Sequence, residues 1–196
     1  MTHANASKSA SAGTEKTLPE MIADSWACEL PDLSHRGLQL TLRIRALALV
    51  IDHELARSAE AEGIQVDDVL LLSALRRTGP PYQLRPTEIF GLLNITSGAA
   101  TARIARLVNK GLADRVNDPG DRRSQLVQIS FAGAAVIDRI MATMAQVSDL
   151  SLDAGGLDTT QLRKLKAGLR LLERGWETVV PEAENPLTRE NVARRR

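Results

Sequence analysis

The amino-acid sequence predicts a mainly α-helical chain with one small β-wing, built as a winged helix-turn-helix flanked by further helices from both ends. Three observations carry that expectation. Apolar residues recur at helical spacing along most of the chain. Two helix-sized segments, 86–93 and 96–110, are separated only by Asn94 and Ile95. Immediately after them, strand-like stretches at 112–116 and 125–129 flank the turn-forming NDPGDRRS. Composition agrees: 43% of the 196 residues are hydrophobic but only 3% aromatic, and Leu, Ala, Ile and Val favour helices packed on helices.

The second of the paired helices is the most informative element. Thr96 or Ser97 can accept a hydrogen bond from the orphaned first-turn N–H groups, and Gly111 can end the helix at positive φ. Ala100, Ile104, Leu107 and Val108 form its buried stripe, while Ser97, Thr101, Arg103, Arg106, Asn109 and Lys110 lie on other faces. Gly98, Ala99 and Ala102 leave the backbone bare near the N-terminus, so this half can approach base edges closely. Val127 and Ile129 share one face of the second strand. Between the strands, Pro119 and Gly120 predict a turn, followed by Arg122 and Arg123, whose long guanidinium side chains suit a minor groove and phosphates. Asp121 has two readings, as a cap on the turn or as a partner that aims Arg123. From Ser97 to Arg123 six Lys or Arg face three Asp, a local balance of +3 in a chain whose total is +1. A helix-turn-hairpin with that balance is read as a binder of duplex DNA.

The remaining elements follow in order. Residues 1–16 lack periodicity and read as a disordered tail. A short helix is expected over 18–28, with Pro19 tolerated in its first turn. A long helix over 37–61 carries one stripe (Leu40, Ile44, Leu47, Ile51, Leu55) and further apolar residues at Leu42, Leu49 and Val50, which predicts burial between partners. A helix over 66–77, capped by Asp67 or a neighbour, ends before Gly79, Pro80 and Pro81. Ser130 caps a helix to about Asp149, striped by Ile137, Ile140, Met141, Met144 and Val147. After Gly155 and Gly156, Asp158 and Gln161 open the last helix as a capping box. Leu162, Leu165, Leu169, Leu172 and Trp176 then recur as a coiled-coil-like seam. Residues 181–196 are polar and end in three arginines.

Several function classes are excluded or disfavoured. No apolar stretch approaches the roughly twenty residues of a membrane span, and no signal peptide is evident, so the chain is expected to be cytoplasmic. Cys28 is the single cysteine, and His3, His35 and His53 form no ligand cluster, so no metal or other cofactor is expected. Cys28 reads as a small, partly buried apolar residue or, alternatively, as a redox-sensing thiol. No nucleophile elbow, P-loop, dinucleotide fingerprint or zinc-protease motif is present, so no catalytic residue is assigned and the chain is not read as an enzyme.

One small motif reads duplex DNA too weakly, and a two-fold dimer reading two half-sites about one helical turn apart answers that difficulty. The seam therefore predicts a homodimer. The expected organisation is a tail (1–16), N-terminal dimerisation helices (17–62), a winged helix-turn-helix (63–131), C-terminal helices completing the dimer interface (132–180), and a polar tail (181–196).

Over about residues 18–178 the chain resembles the MarR family of winged-helix regulators. The resemblance rests on LRPTEIFGLLNITSGAATARIARLVNKGLADR, on NDPGDRRSQLVQIS with its D-x-R wing, and on FAGAAV opening the next helix, with support from WACELPDLS and VDDVLLLSALRRTGPP. It implies a homodimer joined through its terminal helices, each half reading one arm of a palindromic operator. The implied output is repression, relieved by a small aromatic or phenolic acid bound between the dimer region and the winged helix. Carried onto this chain, the implied DNA contacts are Thr96, Ser97, Gly98, Ala99, Thr101, Ala102, Arg103 and Arg106 on the helix, with Arg122 and Arg123 on the wing. The implied ligand site involves Trp26, His35 and Arg43, although Arg43 reads equally as part of a surface or interhelical salt bridge and His35 as a helix-start residue near solvent. One departure is Arg85 before Pro86, where the family pattern has a Ser or Thr cap; the missing cap costs around 1 kcal/mol unless Arg85 reaches a phosphate. Another is the alanine-rich helix, which shifts specificity onto Arg103, Ser97, Thr101 and DNA shape. A winged helix used only as a protein-interaction module is the alternative from another class.

Overall fold

Local capping and breaking signals set the elements, in the order α1 (Leu18–Glu29), α2 (Arg36–Ala61), α3 (Val66–Arg77), β1 (Gln83–Leu84), α4 (Pro86–Leu93), α5 (Ser97–Asn109), β2 (Ala113–Asp118), β3 (Asp121–Ile129), α6 (Phe131–Ala154) and α7 (Thr159–Val179). The computed structural model describes residues 16–32 and 34–180, without the side chains of 121–123. The two tails expected from the sequence therefore lie, but for Lys16, outside the described residues. Contacts divide the chain into a unit ending at His53 and a second beginning at Glu54, with α2 crossing the boundary.

In the first unit, the Thr17 N–H donates to Glu20 Oε2 at 2.7 Å, a capping-box bond that opens α1 with Pro19 in its first turn. Arg43 on α2 pairs with Glu20 on α1. The expectation that α2 is buried between partners is not met within the chain. Leu47 and Val50 are 64% and 62% exposed, as are Leu49 and Ile51 at similar levels.

In the second unit, Val69, Leu71, Leu72 and Leu75 of α3 cluster with Ile89 of α4, Ala100, Ile104 and Leu107 of α5, Val127 of β3, and Ile137 and Ile140 of α6. Burial of each large aliphatic side chain stabilises the fold by about 1.5–3 kcal/mol. The start of α3 departs from expectation, since its N-cap is Gln65, whose N–H donates to Asp68 Oδ2 at 3.3 Å. Asp67 lies in the first turn of the helix instead. The three strands are antiparallel in the order β1-β3-β2. Both wing strands run closer to the tip than the 112–116 and 125–129 expected, while Leu112 lies outside β2 and donates its N–H to the Leu107 carbonyl at 2.9 Å. The two-residue β1 was not expected, because two residues carry no readable period. Gly133, in the quoted FAGAAV, has a steric reason: a Cβ there would lie 2.0 Å from the Leu112 carbonyl oxygen.

Two bidentate ion pairs fasten α6. Arg76 on α3 bonds Asp138 at 2.9 Å through each of two nitrogens, and Arg139 bonds Glu62 at 2.8 and 2.6 Å. Hydrogen bonds from the guanidinium groups hold both carboxyls below their ordinary range. A carboxyl depressed in the folded state lends stability that is complete above its unfolded pKa and is lost as pH falls through the folded value. The midpoint of thermal unfolding should thus fall below about pH 4, and the fall should be shallower in Asp138→Asn/Glu62→Gln. Identical acid slopes in wild type and variant would remove these pairs from the acid response.

Opening α7, the Asp158 carboxylate accepts from Gln161 N–H at 2.7 Å while Gln161 Oε1 accepts from Asp158 N–H at 2.8 Å, as the capping-box pattern predicts. The helix contains no buried residue. Among the described residues, no helix is long and apolar enough to cross a membrane.

Candidate nucleic-acid interface

The α4-turn-α5 unit is set by short-range signals. Pro86 starts α4, the Arg85 N–H donates to Glu88 Oε2 at 2.6 Å, and Asn94 ends the helix in the left-handed region (φ 51°). The chain then turns through Ile95 to Thr96, whose hydroxyl accepts from Ala99 N–H at 3.2 Å and caps α5. Gly111, at φ 68°, turns the chain out of the helix, as the sequence indicates.

Ala100, Ile104 and Leu107 anchor α5 in the core. Its opposite face is small. Ser97, Gly98 and Thr101 are exposed, and Ala99 is half-buried. Ala102 is exposed beside Thr101. The Thr101 hydroxyl donates to the Ser97 carbonyl at 2.8 Å, which leaves its lone pairs and methyl to an outside partner. A Cβ on Gly98 would meet nothing within 4 Å, so no packing among the described residues calls for glycine there.

The two arginines of α5 do not stand free. Arg106 Nε bonds Asp68 at 2.8 and 3.1 Å, and that carboxylate is fully buried. Arg103 pairs with Asp67 at 2.8 Å, with its side chain 15% exposed. Lys110 Nζ donates to the Gly63 carbonyl at 2.5 Å. One face of α5 is therefore fixed against the first turn of α3, where the helix dipole favours carboxylates. The sequence offered two adjacent aspartates and two arginines three residues apart. It offered no sign that they meet across more than thirty residues.

The wing is fastened at its base by Asp118, which is 4% exposed. Its Oδ1 accepts from Gly120 N–H at 2.8 Å, and its Oδ2 accepts from Arg85 Nε and a terminal nitrogen at 3.0 and 2.7 Å. The turn is thus capped by Asp118. Aspartate just before Pro-Gly is the first position of a type I turn, a signal that could have identified it. Arg85 ties α4 to the wing. The backbones of Arg122 and Arg123 lie in β3, and their side chains, with that of Asp121, lie outside the described residues.

The residues assigned to a ligand all lie on the first unit. Trp26 is exposed on α1, Arg43 is engaged by Glu20, and His35 holds Nε2 at 2.9 Å from the Leu30 carbonyl oxygen with a buried Nδ1 that has no partner among the described residues. A cavity of about 140 Å³ lined by Arg57, Ser58, Ala61, Glu62, Ile140 and Thr143 includes none of the three. Cys28 is exposed, not partly buried. Of the seam residues, Leu165, Leu169 and Trp176 are exposed and Leu162 and Leu172 half-buried.

A family model described as MarR family matches residues 62–124, which hold α3, β1, α4, α5, β2 and the start of β3. The HTH-type transcriptional regulator PecS of Dickeya dadantii is 31% identical over 120 residues, covering 61% of this chain and 72% of that protein. The chain belongs to the MarR family of winged-helix transcriptional regulators. The HTH-type transcriptional repressor NicR of Pseudomonas putida is 32% identical over 81 residues, 41% of this chain and 49% of NicR. Among solved structures, a mutant of Escherichia coli MarR complexed with operator DNA shares the fold, with a TM-score of 0.53 and 23% identity over 80% of this chain and 98% of that one. Members of this family are transcription regulators, not enzymes.

Proposed function

We propose that the chain is a homodimeric, sequence-specific binder of duplex DNA that represses transcription from a palindromic operator and is released by a small aromatic acid. The exposed face of α5 carries the reading, above all Gly98. Gly98 is the second residue of α5, where glycine is a poorer helix former than alanine, yet a Cβ there would occupy open space. Close approach of an outside surface accounts for it, and a bare helix end in a major groove is such an approach. Support for DNA as that surface comes from the MarR–operator complex, and support for repression from NicR. On this reading Thr96, Ser97, Gly98, Ala99, Thr101 and Ala102 face the groove, and the wing arginines Arg122 and Arg123 reach the flanking minor groove and phosphates. Arg103 and Arg106 hold α5 on α3.

On this reading the effector would meet Trp26, His35 and Arg43, a reading supported by the exposed Trp26 ring and by a buried His35 nitrogen without a partner among the described residues. An anion at Arg43 would have to displace Glu20. The five-part domain organisation expected from the sequence, from the 1–16 tail to the 181–196 tail, belongs to the same proposal.

The test is to incubate the full chain with fragmented genomic DNA and sequence what it retains. A few fragments sharing a two-fold repeat are expected, and retention of none would sink the reading. Gly98→Ala then probes the face directly. It should fold at least as stably as wild type and bind the recovered duplex at least tenfold more weakly. Equal affinity would move the contact elsewhere.

A further inference from the structure

We propose that Asp67 withholds Arg103 from DNA and so limits sequence-independent binding. The inference rests on the DNA reading of α5 and adds to it a residue outside the reading helix. Between Ser97 and Asn109 the only charged residues are Arg103 and Arg106. Each is matched by one carboxylate of the first turn of α3, Arg103 by Asp67 at 2.8 Å and Arg106 by Asp68 at 2.8 Å. The charge of the helix that approaches the bases is therefore balanced from within the chain. At about 100° per residue, Arg103 lies about 140° around the helix from Gly98, on the flank turned to α3, and its side chain is only 15% exposed.

The two pairs are not equivalent. Asp68 is fully buried, so Arg106 is fixed in the structure, whereas the Asp67 side chain is 49% exposed and bonds Arg103 at the protein surface. With Asp67 half open to solvent, breaking this pair leaves no carboxylate stranded in the interior, as breaking the Asp68 pair would. The pair's larger effect is on what Arg103 can attract. A free guanidinium on one side of a recognition helix would pair with phosphate at any sequence, because phosphate attraction carries no sequence information. With Asp67 in place, a phosphate must displace a carboxylate already at hydrogen-bond distance.

Each phosphate neutralised adds about 0.9 to the slope of log affinity against log salt. Affinities of the full chain for a genomic duplex it retains, and for a scrambled duplex of equal length, should be measured from about 50 to 200 mM salt. Asp67→Asn, which keeps size and shape, should steepen the slope by about one on both duplexes and tighten binding of the scrambled duplex about threefold at the low-salt end. Arg103→Ala should leave the wild-type slope unchanged. A slope shallower by about one in Arg103→Ala would mean that Arg103 already neutralises a phosphate, and would overturn the proposal. So would Asp67→Asn affinities that stay level or fall. If the wild-type chain retains no fragment at all, the DNA reading itself fails, a result separate from any change in slope.

Discussion

Arg106→Met should destabilise the chain by about 3–5 kcal/mol, the cost of stranding one member of a buried ion pair. The reason is the burial of its partner. Asp68 is fully buried, and among the described residues its carboxylate accepts, apart from Arg106, a single long bond, from Gln65 N–H at 3.3 Å. Removal of the guanidinium leaves a charge that water cannot reach. Asp68→Asn strands the other partner, but the Arg106 side chain is 30% exposed and can turn its charge to solvent. Its cost should be smaller, around 1–3 kcal/mol for a broken charged hydrogen bond. The double change Asp68→Leu/Arg106→Met should recover much of the loss, since an apolar pair of similar volume often replaces a buried ion pair without penalty. Thermal melts at one fixed protein concentration would show this order, with Arg106→Met lower by roughly 10 °C. Equal losses from the two single variants would show that burial of Asp68 does not set the energetics here.

The same pair marks where sequence reading stopped. Thr96, Gly111, Ser130 and the Asp158-Gln161 box were legible because each signal and the bond it makes lie within four residues or in a single backbone angle. The wing was legible for the same reason, although the residue that caps its turn, Asp118, was not singled out. Arg106 and Asp68 are 38 residues apart, and Arg85 and Asp118 are 33 apart. Periodicity says that a charged residue lies off the core stripe. It does not say which other element arrives beside it. Arg103 and Arg106 thus read as groove-facing cations, and Arg85 as a missing cap, when each is engaged by an aspartate from a different element. The apolar excess of α2 was legible from its period, but which element or copy covers it was not, and Leu47, Leu49, Val50 and Ile51 stand exposed in one copy.

Charging the α7 seam should separate the protein into monomers and weaken its binding to a two-fold DNA site by about a hundredfold or more. Leu165, Leu169 and Trp176 are 46%, 41% and 47% exposed on a 21-residue helix that contains no buried residue. A helix of that length gains most of its stability from packing an apolar face, and in one copy this face has little to pack on. A second copy related by a two-fold axis can cover it, the same patch meeting itself. Gly168 and Gly175 point the same way. They are seven residues apart, a Cβ on either would meet nothing within 4 Å, and each weakens the helix with no compensating contact inside the chain. Leu165→Glu/Leu169→Glu would place two like charges in each half of that seam. The core of the second unit draws on the end of α2, on α3 to α6 and on all three strands, and on no α7 residue, so the winged helix should still fold. Light scattering should report a monomer. Affinity for one isolated half-site should change little, whereas the two-fold site should lose the advantage of a linked second contact, which reaches about 10²–10⁴. A variant that stays dimeric, or a monomer that binds the two-fold site as tightly as wild type, would mean that α7 is not what joins the two readers.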